Sequence, residues 1–275
     1  QWYPGHMTKA KRQMQEDIKL IDLIIELVDA RVPLSSRNPD IDELGKNKAR
    51  MILLNKADLA DERQNRAWME YFKEKGIYAV SIDSRNKGSM KAVSAAITEA
   101  CKEKTERDRR RGIKNRPVRA MVAGIPNVGK STFINTFAGK ACAKTGNKPG
   151  VTKGKQWIKL NKNIELLDTP GILWPKFEDQ SVGLNLAYTG AVKDDILDVE
   201  TLGCHLMAYL GEHYPQVLTQ SYKLPEVPAR QEEENDIAYG YRLLEAGAAK
   251  RGMRISGGEL DTERMARVLL DEYRA

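Results

Sequence analysis

The sequence predicts an α/β domain followed by a smaller domain made of helices alone. Strand-like and helix-like segments alternate up to about residue 175, whereas only helical spacing is found from residue 176 onward. Strand–helix alternation predicts a mostly parallel sheet with helices on both faces. A third observation is the glycine-rich stretch GIPNVGKS at 124–131, which lies between one of these strands and the next helix.

Six short apolar segments have the length and composition of strands. They are IDLIIELVDA (21–30), RMILLN (50–55), YAVSI (78–82), VRAMVAG (118–124), QWIKL (156–160) and NIELLD (163–168). Helical patterns cover 7–20, 61–75, 89–108 and 130–138 in the first part, and 181–192, 197–214, 235–252 and 261–274 in the second. A charged loop containing prolines is predicted at 222–234.

Composition excludes several classes of protein. The 275 residues are 41% hydrophobic and contain no apolar run long enough to span a bilayer, so no membrane partner is expected. The opening residues contain no apolar segment of a signal peptide. The three cysteines are widely spaced, which predicts reduced thiols and neither a disulfide framework nor a zinc site. The expected location is the cytoplasm.

Positive charge is concentrated in the first part of the chain. Residues 1–175 carry a net charge of +14, whereas residues 176–275 carry −7. Most of the excess comes from two segments, 102–119 with nine basic residues and 139–162 with seven lysines. A charge of this density favours contact with a large polyanion such as a nucleic acid.

The stretch GIPNVGKS matches the phosphate-binding P-loop, which follows a strand and opens a helix. Gly124 and Gly129 let backbone N–H groups point at phosphate oxygens, Lys130 reaches the β- and γ-phosphates, and the Ser131 hydroxyl binds Mg²⁺. The predicted phosphate-binding residues are Asn127, Val128, Gly129, Lys130, Ser131 and Thr132, together with Gly171 further along the chain.

A second phosphate-related motif is Asp168-Thr-Pro-Gly171, at the end of a predicted strand. The acid suits Mg²⁺ through a bound water, and the glycine N–H suits the γ-phosphate. Between this motif and the P-loop lies PGVTKG, in which Thr152 is predicted to place its hydroxyl on the same Mg²⁺. Such a loop would become ordered by a triphosphate and be released after hydrolysis.

A base-reading motif, Asn55-Lys56-Ala57-Asp58, follows the strand MILL. The Asp58 carboxylate can accept hydrogen bonds from N1–H and N2–H₂ of guanine, which adenine does not offer, so strong discrimination for GTP and GDP is expected. After the next strand, a backbone N–H of the segment Ser81-Ile82-Asp83 is predicted to meet the guanine O6.

These motifs occur in an unusual order, because the base-reading elements precede the P-loop. The order resembles that of circularly permuted GTPases, and more narrowly the ribosome biogenesis GTPase A family. The resemblance covers nearly the whole chain and is carried by WYPGHM (2–7), VDARVPLSSRNP (28–39), NKAD (55–58), GIPNVGKST (124–132), KTGNKPGVT (144–152) and LLDTPGILWPKF (166–177).

The resemblance implies a Ras-like permuted GTPase domain over residues 1–175, whose short segment 1–20 carries a catalytic histidine. It also implies a helical domain over 176–275 that binds RNA, although the negative charge there leaves the basic part an equal candidate. The implied activity is GTP hydrolysis during late assembly of the large (50S) ribosomal subunit. Its rRNA is the implied partner, and no DNA is expected.

Catalysis departs from the Ras pattern, because Ile172 stands where Ras-like proteins carry a water-orienting glutamine. The resemblance implies that a histidine from the N-terminal segment acts instead, which is His6 here, whereas spacing alone fits an ordinary histidine at the start of a helix equally well. An imidazole can orient and deprotonate water near neutral pH. Asn127 matches the asparagine that K⁺-activated GTPases use to bind K⁺, although its residue type is also common in turns.

Two alternative functions stay open at this level. The sequence also fits a GTPase acting on another RNA, such as a tRNA or the small subunit, and only the family resemblance argues against this. It can also be read as a slow nucleotide switch with protein effectors, which the basic charge disfavours.

Overall fold

The computed structural model describes residues 5–139, 156–169, 171 and 178–275, with the side chains of residues 5–7, 156 and 196 left out. The chain divides into two compact units, Gln1–Val182 and Gly183–Ala275. The boundary predicted after residue 175 falls in a stretch, 172–177, outside the described residues, so the assignment of roles to two domains stays a proposal. Among the described residues, no helix has the length and apolar character needed to cross a bilayer.

The first unit contains a six-stranded sheet. Its strands are β1 (Leu23–Asp29), β2 (Ala49–Asn55), β3 (Tyr78–Ser81), β4 (Val118–Gly124), β5 (Gln156–Lys159) and β6 (Ile164–Asp168). Their order in the sheet is β3-β2-β1-β4-β6-β5, and all neighbours are parallel except β5, which runs antiparallel to β6. All six predicted strands are confirmed, and so is the predicted α/β fold class.

The strand order shows the permutation directly. The strand that carries the P-loop, β4, pairs with β1 on one side and with β6 on the other. The base-reading strands β2 and β3 come earlier in the chain and extend the sheet beyond β1. The strands that carry the base-reading motifs and those that carry the phosphate-binding motifs therefore lie in one sheet, although the base-reading strands come first in the sequence.

Helices surround this sheet. They are α1 (Gly5–Asp17), α2 (Asp40–Leu44), α3 (Glu62–Glu74), α4 (Ser89–Ala100), α5 (Lys102–Arg110) and α6 (Lys130–Ala138). The helix predicted at 89–108 is two helices that meet at Cys101, whose backbone (φ −101°, ψ 11°) leaves the helical region. The short α2 was not predicted from the sequence, because five residues are too few to show a helical period.

The centre of the sheet is apolar with one ionic exception. All seven residues of β1 are buried, as expected for a strand covered on both faces. Among them Glu26 accepts a hydrogen bond of 2.9 Å from Nε of Arg37, which also donates to Asp42. Burial raises the pKa of Glu26, and the Arg37 guanidinium opposes this shift. The pair offsets part of the cost of burying this carboxylate, whose other oxygen, Oε2, has no hydrogen-bond partner among the described residues.

The second unit contains most of α7 (Gln180–Tyr188), then α8 (Val199–His213), α9 (Pro215–Tyr222), α10 (Asp236–Lys250) and α11 (Thr262–Arg274). Asp198, Asn235 and Asp261 cap the amino ends of α8, α10 and α11 by accepting from backbone N–H groups. The helix α9 was not predicted from the sequence. It begins with Pro215 at its first turn, and Tyr214 alone separates it from the end of α8 at His213.

Close contact between α8 and α10 depends on a glycine. A Cβ atom at Gly240 would overlap the backbone of Cys204 on α8, including its carbonyl oxygen. Further along α10, a Cβ at Gly247 would lie 3.0 Å from Cε of Met265, the end of a flexible side chain. The first contact involves main chain that cannot move without shifting a helix, whereas the second can be relieved by a rotamer change.

We expect Gly240→Ala to destabilise the helical unit and Gly247→Ala to leave it nearly unchanged. Overpacking against main chain costs about 3 kcal/mol, and the gain in helix propensity offsets only about 1 kcal/mol of this. Thermal unfolding followed by circular dichroism at 222 nm tests the pair. Equal unfolding curves for the two variants would contradict the packing described for α8 and α10.

Candidate guanine nucleotide site

Five parallel strands end at one edge of the sheet, and the predicted site residues lie at or just beyond these ends. Asp29 ends β1, Asn55 ends β2, Gly124 ends β4 and Asp168 ends β6, while Ile82 directly follows β3. In open α/β sheets, ligands bind outside the carboxyl ends of the strands. The predicted phosphate-binding and base-reading motifs therefore meet at the edge where a nucleotide is expected.

The P-loop turns sharply between β4 and α6. Asn127 and Gly129 both have positive φ angles, of 62° and 97°, and α6 begins at Lys130. A Cβ at Gly129 would overlap the side-chain amide of Asn55, so this position requires glycine for both its φ angle and its space. The turn places Ser131 and Thr132 in the first helical turn, where backbone N–H groups favour phosphate.

Asp168, the acid predicted to bind Mg²⁺ through a water, lies against the P-loop. Nζ of Lys130 forms a buried ion pair with Oδ1 of Asp168 at the end of β6. Burial lowers the pKa of Lys130, and the Asp168 carboxylate opposes that shift. Just beyond, a Cβ at Gly171 would lie 3.2 Å from the backbone of Pro126, which shows that Gly171 touches the P-loop. The sequence predicts Asp168 and Gly171 near the phosphates, and the structure brings both beside the P-loop.

Asn55 joins the base-reading loops to the P-loop. Its side-chain Nδ2 donates to the carbonyl of Val128 at 2.8 Å, and its Oδ1 accepts from the backbone N–H of Ser84 at 3.0 Å. Asn55, Val128 and Ser84 are all buried. Three loops are therefore held by one amide, and Ser84 is a residue that sequence reasoning missed. The predicted contact of Asn55 with guanine stays a prediction.

Lys56 makes a second link to the P-loop. Its backbone is left-handed, with φ 58°, and its Nζ donates to the carbonyl of Asn127 at 3.2 Å. The same Nζ lies 3.9 Å from Oδ2 of Asp29, which forms a two-point ion pair with Arg31. Burial lowers the pKa of Lys56, and Asp29 opposes the shift. The stem of Lys56 thus crosses from the base loop to the phosphate loop.

The carboxylate predicted to read guanine has a protein partner. Nη2 of Arg85 donates to Oδ2 of Asp58 at 2.9 Å, and Arg85 also holds the Asp83 carboxylate through Nε and Nη2. The hydrogen bond from Arg85 lowers the pKa of Asp83. Arg85 was missed by sequence reasoning, although a basic residue two positions after Asp83 is a signal that could have indicated it.

In the segment at the end of β3, several polar groups already bond to other parts of the fold. The N–H of Ile82 donates to the carbonyl of Leu54 at 2.9 Å, and the Ile82 carbonyl accepts from Ala57 at 3.1 Å. The Ser81 hydroxyl contacts Sδ of Met69. Ile82 is a buried core residue that fixes this segment beside the NKAD loop, and the predicted contact of residues 81–83 with guanine O6 stays a prediction.

Two predicted residues lie wholly or partly outside the described part of the chain. Thr152 lies outside the described residues. The backbone of His6 lies in the first turn of α1, but its side chain is outside the described part of the chain. Their roles at Mg²⁺ and in catalysis therefore stay predictions.

The fold and this site define a P-loop GTPase with a permuted chain order. A family model described as 50S ribosome-binding GTPase matches residues 119–217. The ribosome biogenesis GTPase A of Priestia megaterium is 50% identical over 275 residues, which is 100% of this chain and 92% of the relative. The chain belongs to the ribosome biogenesis GTPase A family, and its enzymatic class is that of a GTPase.

Two further similarities agree with this assignment. Mitochondrial ribosome-associated GTPase 1 of Bos taurus is 34% identical over 235 residues, covering 82% of this chain and 70% of that protein. The crystal structure of GNP-bound YlqF from T. maritima has a TM-score of 0.64 and 26% identity, and the match covers 97% of this chain and 93% of that one. The permuted fold is thus shared over almost the full length.

We expect Arg85→Ala to tighten GDP binding by a few-fold. Guanine and Arg85 both offer N–H donors to the Asp58 carboxylate, and an exposed ion pair contributes only weakly, so the gain should be small. Titration with a fluorescent GDP analogue at low and high salt measures the effect. Arg66→Ala, which removes an exposed ion pair with Glu62 on α3, is the control. Weaker GDP binding by Arg85→Ala would show that Arg85 supports the base instead of competing with it.

Proposed function

We propose that this protein is a GTP-hydrolysing assembly factor that acts late in maturation of the large ribosomal subunit and contacts its rRNA. The observation that carries the proposal is the permuted arrangement in which Asn55 bonds the base loop to the P-loop, in a member of this family. The net charge of +14 on residues 1–175 supports an RNA partner. The description of the matching family model supports the large subunit.

The described residues fit a magnesium site of the P-loop type. The Lys130–Asp168 pair brings the end of β6 to the start of α6, so Asp168 lies beside the turn that carries Ser131. Ser131 would hold Mg²⁺ directly and Asp168 would hold it through a water, with Thr152 proposed as a third ligand. Bound Mg²⁺ neutralises charge on the β- and γ-phosphates. Lys130 would then exchange its bond to Asp168 for one to phosphate.

Activation by K⁺ is a finer part of this proposal. Asn127 would supply the K⁺ ligand from the P-loop, next to Val128, whose carbonyl is held by Asn55. The left-handed backbone of Asn127 is fixed in part by Lys56, which donates to its carbonyl. The position of the asparagine is therefore set by the base loop.

His6 is the proposed catalytic residue. Ile172, the residue after the DTPG motif, has no group that can orient water. His6 lies in the first turn of α1, and its imidazole would orient the attacking water and accept its proton. Because α1 belongs to the amino-terminal segment, a ribosomal particle that positions this segment against the nucleotide would raise the rate of hydrolysis.

We expect His6→Ala to retain GTP and subunit binding but to lose most hydrolysis stimulated by large subunits. Loss of a positioned general base costs on the order of 10²–10⁴-fold in rate. Phosphate release measured with and without subunits tests this expectation. His213→Ala, which removes an exposed histidine of α8, is the control. Stimulated turnover of His6→Ala at the wild-type rate would assign catalysis to another group, with the ribosome as the leading candidate.

Co-sedimentation with isolated large and small subunits tests the proposed function. With a non-hydrolysable GTP analogue, the wild-type protein should sediment with large subunits or their precursors, and less so with GDP. Preferential sedimentation with small subunits would favour the alternative RNA targets. Absence of binding to either subunit, with intact GTP hydrolysis, would favour a nucleotide switch with protein effectors.

A further inference from the structure

A cleft lies at the edge of the sheet opposite the nucleotide. It has a volume of about 820 Å³ and is bordered by α4, by α5, by the loop at 111–117 and by the turn between β5 and β6. Val118 and Ile164, which begin β4 and β6, form part of its floor. Since the P-loop follows the other end of β4, a ligand in this cleft would leave the nucleotide site accessible.

Four partly covered ionic side chains hold one wall of the cleft. Asp108 on α5 accepts from Nζ of Lys104 at 3.1 Å and from Nε of Arg116 at 3.0 Å. Arg116 also donates to Asp22 at 2.9 Å, and Lys104 reaches the carbonyl of Arg116 at 3.2 Å. These contacts tie the loop at 111–117 to α5 and to the start of β1. The wall is therefore preformed, and its cations are already paired.

Other cations of the same region have no acidic partner among the described residues. They are Arg107, Arg109, Arg111 and Lys114, all of which are exposed. By contrast, Arg110 pairs with Glu106 at 3.3 Å. Arg109 and Lys114 line the cleft itself, where Asn115, Asn161 and Asn163 add neutral hydrogen-bonding groups and Ile113 adds an exposed apolar side chain.

We propose that this cleft binds the phosphodiester backbone of RNA, with Arg109 and Lys114 on successive phosphates. The inference rests on the proposed function, since it names a surface through which the GTPase unit would contact RNA. Cations without an acidic partner attract polyanions. The amide groups can also bond ribose hydroxyls, which RNA has and an acidic protein partner lacks. The apolar Ile113 suits a ribose or base face more than a carboxylate.

The test replaces both cleft cations in one variant, Arg109→Glu with Lys114→Glu. The matched control is Arg63→Glu with Lys73→Glu on α3, which changes net charge equally at two exposed cations that have no acidic partner among the described residues. Binding of a fluorescein-labelled 20-nucleotide RNA is measured by anisotropy at several KCl concentrations. Far-UV circular dichroism and intrinsic GTP hydrolysis show that each variant is folded.

The cleft variant should bind the RNA more weakly than the control variant, and its salt dependence should be shallower. Loss of two phosphate contacts on a single strand reduces the slope of log K against log salt by about 1.4. An affinity and slope equal to those of the control variant, or no binding of the RNA by the wild-type protein, would overturn the proposal. Polyglutamate that displaces the labelled RNA as well as unlabelled RNA of the same total charge would also overturn the proposal, because the cleft would then recognise charge alone.

Co-sedimentation with large subunits separates this inference from the proposed function. Weaker sedimentation of the cleft variant than of the control variant supports the cleft as an rRNA contact. If wild-type protein and both variants sediment equally, the cleft proposal fails and the assembly function stands. If the wild-type protein does not sediment with large subunits at all, the proposed function itself fails.

Discussion

The site depends on one buried side-chain amide. In this permuted chain the base-reading loops and the P-loop come from distant parts of the sequence, and Asn55 bonds both, through the Val128 carbonyl and the Ser84 N–H. Gly129 must lack a side chain because Asn55 occupies that space. Buried polar groups that lose their partner cost free energy, so this arrangement selects one relative position of the two loops. Lys56 supports it with a bond to Asn127.

The same edge of the sheet also carries the groups that are proposed to bind phosphate and Mg²⁺. Lys130 at the start of α6 pairs with Asp168 at the end of β6, and Gly171 lies against Pro126. A nucleotide that engages Lys130 must therefore change a contact of the strand that leads into the DTPG motif. In the chain this motif is followed by residues 172–177 and then by α7, so the permutation places it next to the second unit in sequence. Under the function proposed above for this chain, this order would couple hydrolysis to release from the particle.

Much of this could be predicted from the sequence, for reasons visible in particular residues. The six strands were predictable because each is a short apolar run, and the P-loop because its glycines and Lys130 have a fixed spacing. The partners of Asn55 were not predictable, since Val128 acts through a carbonyl and Ser84 through an N–H that every residue has. The pairing of Arg85 with Asp58 depends on how two loops fold together. Helix α9 was missed because eight residues with a leading proline resemble a loop.

The most direct test of this account is the affinity of Asn55→Ala for a fluorescent GDP analogue. The substitution leaves the Val128 carbonyl and the Ser84 N–H unpaired, at about 1–3 kcal/mol each, so GDP binding should weaken by roughly 10-fold or more. Asn65→Ala is the matched control, because this buried asparagine bonds the NKAD loop at the Ala57 carbonyl through Nδ2 but, within the described part of the chain, forms no hydrogen bond to the P-loop. Strong loss of affinity in Asn55→Ala with little loss in Asn65→Ala is the predicted result. Wild-type GDP affinity in a folded Asn55→Ala protein would contradict the claim that this amide holds the site together.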